Sequence, residues 1–423
     1  MTTTVPSTYT RRLPLVTYVL AAGVFLMGTT EFIVAGILPE IAGDLDVSVA
    51  SAGLMITVFA VGMIVGTPTM SILTLKLPRR VTLSLALVVF AVGHIVVALT
   101  SDFTLILAAR FLTALATGAF WAVAAVVGAK AAGAASASRA LGVVLGGGML
   151  ANVVGVPLGA FAGQIIGWRG PFWALAILAL AAAVVVFRLV PAGPESGPTA
   201  SVRAELASMR DSRVWLVLAG CAIVCGSSLA AYSFISPLLT ENTGMAAQVV
   251  PLVLVAYGVG AFIGSNLGGH FGAHHPYPAL FVSAGMTFLV LGALSLSSHN
   301  AWLAVPLIFL LGLFGMATNP ILIGKAVGYA GHAPTLASAL STSAFNFGTA
   351  VGSWLAGYAL ESAFGATGPV LVGTGIAALY FVPLTMLLLK DRNQGMSHEA
   401  PHHWSSADGN LAGGLQRHRT FRP

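Results

Sequence analysis

Apolar runs of about 20 residues follow one another along most of this chain, with only short polar breaks between them. A helix of that length rises about 30 Å, which matches the hydrocarbon thickness of a bilayer. Because lipid offers the backbone no hydrogen-bond partners, each run is expected to be helical. The composition agrees: 57% of the residues are hydrophobic and 8% are charged, against about 25% charged in soluble domains. The sequence therefore predicts an all-α membrane protein.

Twelve transmembrane helices account for the apolar runs. They are predicted at 14–38, 50–73, 80–100, 104–129, 140–164, 168–190, 214–239, 247–269, 277–297, 301–324, 337–360 and 368–389. The longest interior polar stretch lies between the sixth and seventh and begins as a Pro/Gly/Ser-rich linker. We therefore predict a cytoplasmic N-terminus at 1–13, six-helix bundles at 14–190 and 214–390, a cytoplasmic linker at 191–213, and a disordered cytoplasmic tail at 391–423.

Basic residues are distributed unequally between the two sides of the membrane. With a cytoplasmic N-terminus, Arg169 is the only one of the 19 lysines and arginines at the outer side of the membrane, and Arg110 is the only one deep within a span. The positive-inside rule predicts this bias for cytoplasmic termini and an even number of spans. It also explains the net charge of +6 without a nucleic-acid partner. We expect a monomeric, multi-pass protein of the bacterial cytoplasmic membrane.

Other kinds of chemistry find little support in the sequence. Cys221 and Cys225 lie in one apolar run and are too few for a zinc site, so we expect small buried side chains. No cofactor or metal is expected. A membrane-embedded enzyme would need a nucleophile, paired carboxylates or metal ligands within its spans, whereas this chain has one carboxylate there. A receptor or channel would not account for the division into six plus six spans.

The two charges inside predicted spans are Glu31, in the first, and Arg110, in the fourth. Glu31 precedes Leu38 by seven residues and Arg110 follows Thr104 by six, so both lie about 10 Å below the outer ends of their helices. Charged groups at such depth normally face a cavity or a partner. We predict that the pair serves proton coupling or substrate contact. The alternative is a buried ion pair that only fixes helix packing.

Several uncharged residues are weaker candidates for a central substrate cavity. Some lie at helical spacing from Arg110 or Glu31, and others are aromatic or amide side chains of later spans. They are Met27, Thr113, Thr117, Trp121, Asn152, Tyr232, Tyr257, Asn346 and Phe347.

Paired small residues recur in the two predicted halves. The fifth span contains Gly155 and Gly159, and the eleventh contains Gly348 and Gly352. Small residues four apart let helix backbones approach closely in lipid. Equivalent placement in both halves favours paired structural repeats over ordinary packing.

Three segments resemble motifs of the major facilitator superfamily, in its drug:proton antiporter branch. GTTEFIVAGILPEIAGDL, at 28–45, is similar to the first-span signature of bacterial efflux members, with Glu31 in the acidic position. ARFLTALATGAFWAV, at 109–123, is similar to the fourth-span motif, in which Arg110 would be the arginine implicated in proton transfer. GVVLGGGMLANVVGVPLGAFAG, at 142–163, resembles the antiporter motif of exporters, with Gly155, Pro157 and Gly159. Its Gly-Val-Pro is as expected in relatives of actinobacterial chloramphenicol exporters.

The loop between the second and third spans departs from the family pattern. SILTLKLPRR keeps the basic end, Lys76, Arg79 and Arg80, but has Leu75 where the family has Asp. The charge clamp described for the family cannot form in that way here.

The resemblance implies a major facilitator fold that works by alternating access. It implies proton-coupled export of small, moderately hydrophobic compounds such as chloramphenicol-like drugs. Export of sugars or nucleosides is the alternative within the same fold. The expected partners are the substrate, protons and the bilayer.

Overall fold

A computed structural model describes residues 13–73, 77–191, 211–297, 299–331 and 334–398. Each predicted span coincides with one helix or with two or three helices in line. The first six spans are Leu15–Gly36 with Leu38–Asp44, Val49–Leu73, Arg79–Leu99, Phe103–Ala132, Ala137–Leu150 continued by Ala151–Gly155 and Val156–Ile166, and Arg169–Leu189. The last six are Ser212–Ser233, Val250–His274, Pro276–Leu296, Ala301–Ala317 with Asn319–Tyr329, Pro334–Leu360, and Gly368–Leu379 with Phe381–His398. Short helices at Ile235–Pro237 and Leu238–Asn242 follow the seventh span.

Eleven of these spans are long and apolar enough to cross a membrane. The exception within the described residues is the eleventh, Pro334–Leu360, which carries many hydroxyl and amide groups. Its polarity has a structural reason, because Ser343 and Ser353 form hydrogen bonds with the second span. The fold is the predicted one, an all-α membrane protein of twelve helices in two six-helix bundles.

The two bundles are joined most closely on one side of the membrane. We call the side on which residues 191 and 211 lie the linker side, and the other the far side. An apolar cluster at the far side combines residues of both halves, including Ile37, Ile41, Phe234 and Leu238. Separate clusters pack each bundle, one around Phe90 and Phe120 and one around Leu280 and Leu322.

Hydrogen bonds between the halves lie from mid-membrane to the far side. Thr57 Oγ1 lies 2.8 Å from Ser353 Oγ, and Ser343 Oγ donates to the carbonyl of Ile64 at 3.1 Å. Ser48 donates to Glu361 Oε1 at 2.7 Å. The structure is therefore a form in which the halves are closed on the far side.

The one predicted outside arginine, Arg169, has a local partner. It forms an ion pair with Asp44 at the end of the first span, and its second Nη lies 3.2 Å from the hydroxyl of Ser101. The Arg169 hydrogen bond holds the pKa of Asp44 below its usual value. Arg169, the basic residue at the far side, thus connects the start of the sixth span with the end of the first span and with the turn between the third and fourth spans.

The predicted start of a disordered tail at 391 is wrong, because the last helix continues to His398. Asp391 explains the extension. Its carboxylate accepts hydrogen bonds from the hydroxyls of Tyr277 and Tyr329 and pairs with Arg213 and Lys325. These contacts join the linker-side ends of the seventh, ninth, tenth and twelfth spans. The rest of the tail, and most of the linker, lie outside the described residues.

Close helix contacts at the paired glycines are confirmed, and they are equivalent in the two halves. A Cβ added to Gly155 or Gly159 would lie about 2 Å from side-chain atoms of Thr29 or Ile33 in the first span. A Cβ on Gly348 would lie 1.8 Å from the carbonyl oxygen of Ala222, in the seventh span. The fifth span therefore packs on the first as the eleventh packs on the seventh.

Replacing Gly348 by valine should lower the melting temperature of the detergent-purified protein. The new side chain would overlap the backbone of Ala222 in the seventh span. Overpacking of an interior contact costs about 1–3 kcal/mol. Gly285→Val is the matched control, since nothing lies within 4 Å of a Cβ at that position. Equal melting temperatures for the two variants would contradict the close contact.

Candidate functional site

Arg110 is the most completely enclosed charge in the described residues. Asp102 accepts hydrogen bonds from the backbone of Thr104 and Leu105 and so fixes the start of the fourth span, two turns before Arg110. The side chain is fully buried. Its guanidinium carbon lies 4.4 Å from the centre of the Phe59 ring, an arrangement that favours a cation.

Three hydrogen bonds orient the Arg110 guanidinium. Nε donates to the carbonyl of Met55 at 3.3 Å, and one Nη donates to both the carbonyl and the hydroxyl of Thr30, at 3.1 and 2.9 Å. The other Nη has no hydrogen-bond partner among the described residues. The arginine therefore links the first, second and fourth spans and keeps one donor free.

Glu31 follows Thr30 directly and differs from Arg110 in its surroundings. Its side chain is partly exposed although it lies deep within the first span. It is within electrostatic range of Arg110 and of Cys225 in the seventh span, but the described residues form no ion pair between Glu31 and Arg110. The two charges are thus neighbours, and Glu31 lies toward the interface between the halves.

His94, in the third span, extends this group and was missed by the sequence analysis. It is buried, with Nε2 2.7 Å from the Thr30 hydroxyl and Nδ1 2.7 Å from the carbonyl of Phe90. The sequence carries a signal for it: His94 precedes the end of its helix at Leu99 by five residues, which is the depth of Glu31 and Arg110.

Three predicted cavity residues instead pack inside the N-terminal bundle. Met27, Thr113 and Thr117 are fully buried. Met27 belongs to the apolar cluster around Phe90, and the Thr113 methyl group leaves no room for a Cβ at Gly93 of the third span. The hydroxyls of both threonines donate to backbone carbonyls of their own helix. Thr113 and Thr117, about one and two turns after Arg110, therefore serve packing.

Trp121 and Asn152 remain open to a cavity role. Both side chains are partly exposed. The Trp121 ring lies near Gly148 of the fifth span, and its Nε1 has no hydrogen-bond partner among the described residues.

Aromatic residues of three spans meet near Glu31. The rings of Tyr232 and Tyr257 are 4.2 Å apart, and Phe32 packs edge-on against Tyr232 at 6.1 Å. The Tyr257 hydroxyl and the Asn346 Oδ1 are buried without a hydrogen-bond partner in the described part of the chain. Such groups are costly unless a ligand or water satisfies them.

Phe347 does not belong to this group. Its side chain is 55% exposed and lies on the same helical face as the exposed Val351, Trp354 and Tyr358. One helical step from the buried Asn346 turns a side chain by about 100°, which places Phe347 on that exposed face.

Comparison with known proteins decides the family. A family model described as the Major Facilitator Superfamily matches residues 20–324 and 216–407. The chain belongs to the Major Facilitator Superfamily. It is therefore a multi-pass membrane transporter.

Relatives within the superfamily include transporters of several kinds. The chain is 35% identical over 361 residues to a chloramphenicol resistance protein of Streptomyces lividans, covering 85% of this chain and 92% of that protein. It is 32% identical to the inner membrane transport protein YdhP of Escherichia coli K12, with 89% and 95% covered. It is 28% identical to a "probable sugar efflux transporter" of Helicobacter acinonychis, with 86% and 93% covered.

The fold also matches a solved structure. A bacterial homologue of the human lysosomal transporter Spinster, in an inward-facing and unoccupied conformation, aligns with a TM-score of 0.71 at 15% identity. The alignment covers 93% of this chain and 98% of that one.

The fifth-span segment that resembles the superfamily's antiporter motif has a distinctive backbone. Pro157 has no backbone hydrogen to donate, and the helix widens just before it, over Ala151–Gly155, with Val156 donating to the carbonyl of Ala151. A Cβ on Gly258 of the eighth span would lie 2.4 Å from the carbonyl oxygen of Asn152. The widened turn is thus where the two halves touch.

The loop between the second and third spans is only partly described. Lys76 lies outside the described residues, and Arg79 begins the third span. Arg80 stacks on Phe187 of the sixth span at 4.4 Å. Among the described residues no three His, Cys, Asp or Glu side chains are grouped to hold a metal ion. Cys221 and Cys225 are buried and free, as expected.

The partial exposure of Glu31 can be tested by chemical labelling. In a background with Cys221 and Cys225 replaced by alanine, Glu31→Cys should react with a water-soluble thiol reagent much faster than Thr113→Cys, because Thr113 is fully buried. Mass spectrometry of the purified protein over time measures both rates. Similar rates would contradict a water-accessible position for residue 31.

Proposed function

We propose that this transporter exports small, moderately hydrophobic compounds in exchange for protons, by alternating access. Glu31 is the proton carrier, and Arg110 is its electrostatic partner. The observation that carries the proposal is the position of Glu31: a lone carboxyl group, partly exposed deep in the membrane, between a buried arginine and the other half of the protein.

This geometry suits a site that alternates between a charged and a neutral form. A nearby cation favours the carboxylate, and removal from water favours the protonated acid. Because Glu31 is not held in an ion pair by any described residue, a small movement of the first span against the fourth or seventh is enough to change that balance. A permanent ion pair would instead oppose proton uptake.

Alternating access is supported by the asymmetry of the contacts between the halves. Two described hydrogen bonds between them, Ser48 to Glu361 and Thr57 with Ser353, lie toward the far side. Rocking of the two bundles would open that side and close the other around a central site. The widened turn at Ala151–Gly155, which touches Gly258 of the eighth span, lies along the line of contact.

The driving force is sufficient for export. A proton that enters across a potential of about 100 mV releases about 2.3 kcal/mol. Each unit of pH difference adds about 1.4 kcal/mol. One proton per cycle therefore sustains a substrate gradient of about fiftyfold from the potential alone, and of about five-hundredfold with one unit of pH difference added.

A compound with an aromatic ring and hydroxyl groups fits the central residues. Phe32 is partly exposed, whereas Tyr232, Tyr257 and Asn346 are buried in this form. Once the halves move apart, the two tyrosine rings would supply ring surface, and the unpaired Tyr257 hydroxyl and Asn346 Oδ1 would supply polar contacts. The relative in Streptomyces lividans that is named for chloramphenicol resistance supports the same choice. Sugars or nucleosides are the second candidate, because another relative is named for sugar efflux.

We place the protein in the bacterial cytoplasmic membrane as a monomer, with both termini and the linker in the cytoplasm. The bias of basic residues supports this orientation. In it, the far side is the outside, and the structure is closed to the outside.

Glu31→Gln should abolish chloramphenicol accumulation driven by a pH gradient in inside-out vesicles, while the purified variant still binds the drug. The amide keeps the size of the side chain but cannot carry a proton. Uptake of labelled drug with and without the gradient measures coupling.

Glu241→Gln is the matched control, because Glu241 is an exposed carboxylate beyond the seventh span. Its driven uptake should equal that of the wild type. Undiminished driven uptake by Glu31→Gln would exclude Glu31 as the proton carrier. Uptake of sugars or nucleosides, with no effect of the gradient on chloramphenicol, would favour the second candidate.

A further inference from the structure

The hydrogen bonds of His94 fix which of its nitrogens carries the proton. Nδ1 lies 2.7 Å from the carbonyl oxygen of Phe90, which can only accept, so Nδ1 must be the donor. In the neutral ring Nε2 is then an acceptor. The Thr30 hydroxyl, 2.7 Å away, must donate to it.

This assignment fixes the next hydrogen bond as well. A hydroxyl that donates to His94 turns its lone pairs toward other donors, and Arg110 Nη, at 2.9 Å from Thr30 Oγ1, is such a donor. The result is a chain with one direction, from Arg110 through Thr30 and His94 to the backbone of Phe90. Every hydrogen in it has an acceptor.

A protonated His94 does not fit the same arrangement. Nε2 would become a second donor aimed at the Thr30 oxygen, in competition with Arg110. Two cations would also lie on either side of one hydroxyl in a region of low dielectric constant. The other groups around the ring are Phe90, stacked at 4.0 Å, and Phe172 of the sixth span, at 5.6 Å. Glu31, which directly follows Thr30 in the chain, is the acidic residue joined to this arrangement through the backbone.

We propose that neutral His94 is a positioning residue that holds Arg110 in place through the Thr30 hydroxyl. Because Thr30 directly precedes Glu31, the same contact fixes the level of Glu31 relative to the guanidinium. The proposal rests on the proposed function in one respect, namely that the positioned Arg110 takes part in coupling proton movement to transport.

Two matched pairs of variants test the transport consequence. Thr30→Val removes the hydroxyl at nearly constant shape, and Thr30→Ser keeps it. His94→Asn can still donate to Phe90 but is too short to reach Thr30, whereas His94→Gln can place an oxygen near the Nε2 position. We expect Thr30→Val and His94→Asn to lower gradient-driven uptake roughly ten- to hundredfold, as for loss of a hydrogen bond to a charged group. Thr30→Ser and His94→Gln should retain most of it.

A double-mutant cycle separates positioning from general stability. If His94 acts through Thr30, adding His94→Asn to Thr30→Val causes little further loss of uptake. Losses that multiply, or wild-type uptake by His94→Asn, would overturn the proposal.

A spectroscopic measurement tests positioning independently of transport. In ¹⁵N-labelled, detergent-purified protein, the His94 signals, assigned by their loss in His94→Gln, should show a neutral ring protonated at Nδ1. The Arg110 Nε signal, assigned with Arg110→Lys, should shift in Thr30→Val and His94→Asn but not in Thr30→Ser. A ring protonated at Nε2, or an unmoved Arg110 signal, would overturn the proposal. Wild-type vesicles without proton-driven uptake would instead refute the proposed function, and the NMR result would still decide the role of His94.

Discussion

A guanidinium in the interior of a membrane protein needs acceptors for most of its hydrogens, and the N-terminal bundle is organised around this requirement. Arg110 takes acceptors from the first and second spans and a ring face from Phe59. Three helices are thereby held at one level. Glu31 lies next to this charge without an ion pair to it among the described residues, while Thr30 takes one Nη of Arg110 and leaves the other without a partner there. The proposed coupling depends on Glu31 and Arg110 being neighbours without forming an ion pair.

Patterns that lipid enforces were predictable from the sequence. Hydrocarbon penalises unpaired backbone groups and charges everywhere along a span, so span number and position follow from hydropathy. Glycine pairs indicated close approach because only small residues permit it, and Gly155 and Gly348 make such contacts. The shared depth of Glu31 and Arg110 followed from helical rise.

The direction in which each side chain points was less predictable. Thr113 and Thr117 looked like cavity residues because they are polar, but their hydroxyls are satisfied by their own helix. Phe347 and Asn346 are adjacent in sequence and lie on different faces. His94 was not predicted because the signal for the site was a charged residue within an apolar span, and an imidazole ring is mostly neutral at pH 7. The helix beyond residue 390 depends on Asp391 and on partners more than 60 residues away in sequence.

The carboxylate of Asp391 has a consequence for how the C-terminal half can move. It binds side chains from three other helices, at their linker-side ends. None of these four ends can slide past another without giving up contacts to the same group. These shared contacts favour movement of the four ends together. Pro320 and Pro383 interrupt the tenth and twelfth helices in the membrane interior and supply positions at which these two helices can bend.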